Sequence, residues 1–81
     1  NVIINETKST PRMDYINEFI EVLKEITDYF PEYTDKKIIP IFSSLYIPED
    51  IIEYLTKKKI YAMVMNDNTM DLVNFDLVSD K

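Results

Sequence analysis

Val2-Ile3-Ile4-Asn5-Glu6-Thr7-Lys8, followed at once by Ser9-Thr10-Pro11, is the stretch on which the fold turns. Three β-branched residues in a row favour an extended backbone and Thr7 continues it, so Val2 to Lys8 predicts a strand. Ser9-Thr10-Pro11 stops it. Thr10 suits a helix N-cap, and Pro11 suits the first helical position, where its missing N–H costs nothing.

Outward from there, the spacing predicts a long helix from about Pro11 to Tyr29 or Phe30. Ile16, Phe19, Ile20, Leu23, Ile26 and Phe30 recur at intervals of three and four and form one apolar stripe, which Tyr15 and Val22 widen. Pro31 ends the helix, because the residue before a proline avoids the α region. Glu32 to Lys37 reads as a polar connection. Ile38 to Phe42 is a second strand, apolar on both faces, as in a strand covered on both sides. Pro40 cannot donate to a ladder, so this strand should have a free side or a bulge there.

A second helix is predicted from about Pro48 to Lys58 or Lys59. Glu49 and Asp50 sit in its first turn and Lys57, Lys58 and Lys59 in its last, matching the helix dipole. Ile60 to Met65 is a third strand. The Asn66-Asp67-Asn68-Thr69 turn makes a hairpin with a fourth strand from Met70 to Phe75, and Asp76 to Lys81 carries no clear signal. Residues 1–81 therefore read as a single α/β domain or domain fragment, a mixed sheet in the order β-α-β-α-β-β, with the first two strands parallel neighbours.

Composition excludes several chemistries. The 81 residues contain no Cys and no His, which removes disulfides, thiolate and imidazole zinc sites, Cys nucleophiles and His-based triads. Any metal would need oxygen ligands, as magnesium-like or calcium-like ions do. Glycine is absent, which excludes phosphate loops and dinucleotide fingerprints that depend on it. A net charge of −6 opposes bulk attraction to nucleic acid or anionic membrane, and no apolar run approaches the ~20 residues of a membrane span. The lack of Cys agrees with a reducing compartment, and a cytoplasmic location is expected. The chain opens on Asn1 directly before an apolar run, which reads as a piece cut from a longer protein or as a processed start.

One spot combines a carboxylate and a cation at a useful spacing. Residues two apart on a strand share a face, so Glu6 and Lys8 project together and Thr7 projects oppositely. A carboxylate there can bind a hard cation, and a lysine beside it can orient or deprotonate a water or stabilise developing phosphorane charge. The competing reading is a solvated surface pair worth less than ~1 kcal/mol. Other candidates read as structural: Ser43 and Ser44 as turn and cap residues, Lys57-Lys58-Lys59 as a solvated helix end, the Asn66–Asp71 region as a turn without calcium spacing, and Met63, Met65 and Met70 as core or interface filler.

An apolar strand ending in Glu6-x-Lys8-Ser9, followed by a long amphipathic helix and another apolar strand, resembles the second half of the PD-(D/E)XK nuclease fold, the restriction-endonuclease-like family. The stretch from Lys37 to Phe75, centred on Ile39-Pro40-Ile41-Phe42-Ser43-Ser44-Leu45-Tyr46-Ile47-Pro48-Glu49-Asp50, is similar to the tail of uncharacterised bacterial proteins placed in that group. The resemblance covers the element order of nearly the whole chain and rests on Glu6 and Lys8 as specific residues. It implies a partial restriction-endonuclease-like core, with Glu6 and Lys8 catalytic and Glu6 a ligand to Mg2+. It further implies hydrolysis of DNA by the parent protein, and a missing upstream carboxylate that leaves this piece inactive. The alternative function is a non-catalytic interaction or oligomerisation module on the same frame. A homo-oligomer is expected, since an uncovered sheet edge seeks pairing.

Overall fold

The computed structural model describes residues 2–29, 38–66 and 68–79. In chain order the elements are β1 (Val2–Thr7), α1 (Met13–Tyr29), β2 (Ile38–Ser44), α2 (Glu49–Lys57), β3 (Tyr61–Met65), β4 (Met70–Leu72) and α3 (Phe75–Ser79). Among the described residues this is a small α/β fold with a four-stranded mixed sheet and three helices. The strands lie in chain order across the sheet. β1, β2 and β3 are parallel, with Ile4 opposite Pro40 and Phe42 opposite Ala62, and β4 returns antiparallel to β3. The predicted connection of Glu32 to Lys37, the stripe residue Phe30 and the stop at Pro31 lie outside the described residues.

Two crossovers that step the same way across a sheet with the same hand bring their helices to one face. Ile16 and Phe19 of α1 and Leu55 of α2 are buried with Phe42 and Ala62, and Ile4 and Val64 pack against them. The Phe19 and Phe42 rings meet at 6.5 Å, and the Tyr54 hydroxyl donates to Asn17 Oδ1 at 2.8 Å, joining the two helices. Val22, read as widening the α1 stripe, is instead exposed.

The other face of the sheet carries Ile3, Asn5, Thr7, Ile39, Ile41, Ser43, Tyr61, Met63, Met65, Met70 and Leu72 by strand alternation and register. Among the described residues α3 covers it at the β3 margin, where the Phe75 ring stacks on Tyr61 at 5.8 Å. Ile3 is 65% exposed and Met70 70% exposed. Both helices of the crossovers lie on the opposite face, so among the described residues neither of them covers the second face of β2.

Several boundaries move from their sequence positions. β1 ends at Thr7, although the Lys8 N–H still donates to the Ser43 carbonyl at 3.0 Å. α1 begins at Met13, not Pro11. Pro11 is buried, and packing it uses the turn that the Thr10-Pro11 signal assigned to the helix. Pro48 is the residue before α2, extended at ψ 156°, and the helix itself starts at Glu49. The β2–β3 register starts at Ile41, so Pro40 has a strand neighbour only on the β1 side and its missing N–H is tolerated without a bulge.

With no glycine to end α2, Lys59 takes the left-handed conformation at φ 62°, a cost of roughly 1–2 kcal/mol for a residue with a Cβ. Two bonds offset it: Ile60 N–H to the Leu55 carbonyl and Lys59 N–H to the Thr56 carbonyl, with Ile60 and Leu55 both buried. The predicted fourth strand stops at Leu72, and Phe75 starts a helix instead. The reason is Asn74. Its backbone carbonyl accepts the N–H groups of Leu77 and Val78, and its buried side chain turns back to β3.

Candidate functional site

Glu6 and Lys8 stand where strand alternation puts them, on the helix-covered face at the carboxyl end of β1. Thr7 lies on the opposite face. Lys8 Nζ is 3.5 Å from Glu6 Oε2, and the two side chains are 37% and 39% exposed. That distance is longer than a charge-assisted hydrogen bond of about 2.7–2.9 Å. A pair this exposed contributes at most ~1 kcal/mol to folding.

The turn between β1 and α1 adds residues that the sequence did not point to. Lys8 Nζ lies 4.6 Å from the centroid of the Tyr15 ring, and the Arg12 guanidinium lies 5.2 Å from it. Arg12, the one arginine in the chain, makes a two-pronged contact with Asp14, Nε to Oδ1 at 3.1 Å and Nη2 to Oδ2 at 3.0 Å. The hydrogen bond from Arg12 holds the Asp14 carboxyl below its ordinary range, and the same bond raises Arg12. Tyr15 is half-buried and packs against the core, which ties this cluster to the folded frame. No sequence pattern marks these contacts, because they depend on how the turn brings the start of α1 back beside the strand end.

Ser43 and Ser44 are not turn residues. Both are buried within β2. Ser43 Oγ donates to Asn5 Oδ1 at 2.8 Å, and Asn5 Nδ2 donates to Thr7 Oγ1 at 3.0 Å, a polar bracket across β1 and β2. Ser44 Oγ donates to the Ser9 carbonyl at 3.2 Å and ties the turn after β1 to the sheet. These bonds satisfy both hydroxyls, and their acceptors, an amide oxygen and a backbone carbonyl, are not general bases. Lys57 closes the last turn of α2, and Lys58 Nζ lies 5.6 Å from the Tyr54 ring centroid, so this run serves the helix end.

A magnesium-like ion requires near-octahedral oxygen ligands and sheds its water reluctantly. Among the described residues no group of three or more acidic side chains comes together to hold a metal ion. Glu6 offers one carboxylate, already facing an ammonium. The residues described do not by themselves fit such an ion. A shallow groove of about 580 Å³ lies at the carboxyl ends of β2 and β3, lined by Leu45, Met65, Asn66, Asn68 and Thr69. Neither Glu6 nor Lys8 lines it, and its lining side chains among the described residues are uncharged. No helix among the described residues is long and apolar enough to cross a membrane.

The chain belongs to the family of the domain of unknown function DUF8196, whose family model matches residues 1–72. No curated protein matches the chain, and no solved structure does.

Proposed function

We propose that Glu6 and Lys8 are the (D/E)-x-K half of a metal-dependent phosphodiesterase centre in a nuclease-like domain, and that this chain supplies the C-terminal part of that domain. The observation that supports the reading is the pair itself: a carboxylate and an ammonium 3.5 Å apart, partly exposed, on one face of a parallel strand end. The element order that follows is the one on which the resemblance to the restriction-endonuclease-like fold rests. In this reading the substrate is DNA and the setting cytoplasmic.

Each residue has a role that follows from its charge. An ammonium at the strand end donates hydrogen bonds to phosphate oxygens as negative charge builds up on them during attack by water. Glu6 keeps that ammonium in place and would supply one oxygen ligand to a hard cation. A hard cation needs more carboxylates than the described residues bring together, so the reading assigns a further acidic residue to the complete gene product.

Titration of the 81-residue chain with manganese or magnesium tests this. Paramagnetic broadening by manganese should centre on Glu6, with weak binding in the ~millimolar range, the affinity of a site with few charged ligands. Broadening centred on another carboxylate, with Glu6 untouched, would remove Glu6 from the metal role. Micromolar binding would show a complete site in this chain and contradict the half-site reading.

The exposure of Ile3 and Met70 on the sheet face opposite α1 and α2 favours a second reading, a non-catalytic module that pairs with a second copy of itself. Parallel sheets rarely leave a face open to water. The described residues of this face carry no charge, so a copy of a chain with net charge −6 can approach it without like-charge contact. The expected result is a dimer by sedimentation that the double substitution Ile3→Lys and Met63→Lys converts to monomer. A wild-type chain that stays monomeric at its highest soluble concentration would rule this reading out.

A further inference from the structure

We propose that Tyr15 is the positioning residue of the half-site, its ring holding both Lys8, beside Glu6, and Arg12, so that the ammonium and the guanidinium face one stretch of nucleic-acid backbone. The inference rests on the nuclease-like reading of Glu6 and Lys8 and extends it to the substrate backbone.

Both cations lie within cation–π reach of the same ring, at 4.6 and 5.2 Å from its centroid, where the negative ring face attracts them. Their charged centres are therefore no more than about 10 Å apart, within one short stretch of nucleic-acid backbone. A lysine on a flexible four-carbon stem loses rotamer freedom when it binds phosphate. The ring restricts that freedom beforehand, and the packing of Tyr15 against the core fixes the ring.

Spare hydrogen-bonding capacity points the same way. An ammonium has three donors and a guanidinium five. Glu6 faces the ammonium through one oxygen, and Asp14 takes two of the guanidinium donors. Donors remain on both cations for a phosphate. The Asp14 contact also holds the guanidinium in a fixed plane, which suits recognition of a tetrahedral anion. Glu6 and Asp14 neutralise the cluster in the free protein, so the site recruits DNA by placed donors and not by a broad positive field, as a chain of net charge −6 must.

The test uses the 81-residue chain in nuclear magnetic resonance with a short DNA duplex as probe. In the wild type the Lys8 ε-methylene protons should be shifted upfield by the Tyr15 ring, and the Lys8 and Arg12 side-chain signals should move together as duplex is added. Tyr15→Phe keeps the ring and should preserve both effects. Tyr15→Leu keeps apolar volume and should abolish the ring shift and weaken duplex binding about two- to five-fold, the size of an exposed cation–π contact. Arg12→Gln leaves the ring and Lys8 in place, so it carries the test even where Tyr15→Leu does not fold. It should weaken binding and reduce the slope of log affinity against log salt by about one, a change that a purely structural role would not produce. A Lys8 shift unaltered in Tyr15→Leu, or an unchanged salt slope in Arg12→Gln, overturns the proposal. Neither result depends on cleavage, so failure of the nuclease-like reading is scored separately, by catalysis in the complete gene product.

Discussion

Asn74→Ala should destabilise the fold by about 2–4 kcal/mol. Asn74 is 1% exposed, and each of its side-chain hydrogen bonds reaches a different part of the frame. Its Oδ1 accepts the Ala62 N–H at 2.8 Å, and its Nδ2 donates to the Ile60 carbonyl at 3.0 Å and to Thr56 Oγ1 at 2.9 Å. The Val73 N–H meanwhile donates to the Ala62 carbonyl at 2.9 Å. Asn74 thus supplies the acceptor that β3 needs where β4 has ended. Alanine would leave the Ala62 N–H and the Ile60 carbonyl buried without partners, at about 1–3 kcal/mol for each such group, less what water recovers. In a domain of this size total stability is on the order of 4–12 kcal/mol. The unfolding midpoint should fall by roughly 10–25 °C. Asn74→Asp retains the acceptor for Ala62 but aims a carboxylate at the Ile60 carbonyl, and should be no better than alanine. A loss below about 0.5 kcal/mol for Asn74→Ala would show that this bracket does not hold the sheet margin.

Much of this frame was legible because it depends on local periodicity. The 3.6-residue stripe of Ile16, Phe19, Ile20 and Leu23 predicts α1 and its buried face, and the apolar runs at Val2, Ile38 and Ile60 predict three strands of one sheet, the first two as parallel neighbours. Glu6 and Lys8 share a face because strand alternation leaves no other arrangement. What was not legible depends on partners distant in sequence. Ser43 looks like a turn residue by composition, yet it is buried in β2 because Asn5, thirty-eight positions earlier, takes its hydroxyl. Phe75 looks like the end of a strand, but the buried bonds of Asn74 to β3 turn the chain into α3 first. Thr10-Pro11 carries a helix-start signal that the burial of Pro11 overrides by two residues. The contact of Lys8 with Tyr15 spans the same turn and has no signature in either segment alone. Apolar residues on both sides of β2 indicate that both faces are suited to burial, but they do not indicate what covers each face.

The second large effect concerns catalysis. If the proposed nuclease-like reading holds, Lys8→Ala should reduce DNA cleavage by the complete gene product by about 10²–10³, the range for removing one placed donor from a developing oxyanion. The same substitution should change folding stability by no more than about 1 kcal/mol, since the Lys8–Glu6 pair is well exposed and the Tyr15 contact is weak. The contrast separates a chemical role from a structural one, because a lysine that held the turn together would lower stability and activity in parallel. Lys8→Arg keeps the charge but changes the donor geometry, and should recover only part of the rate. The most direct measurement is plasmid cleavage in magnesium by the complete gene product, wild type against Lys8→Ala, with thermal unfolding recorded on the same samples. The nuclease-like account predicts cleavage by the wild type, loss of it in the variant and nearly coincident unfolding curves. Equal cleavage by both proteins, or no cleavage by either, would contradict it.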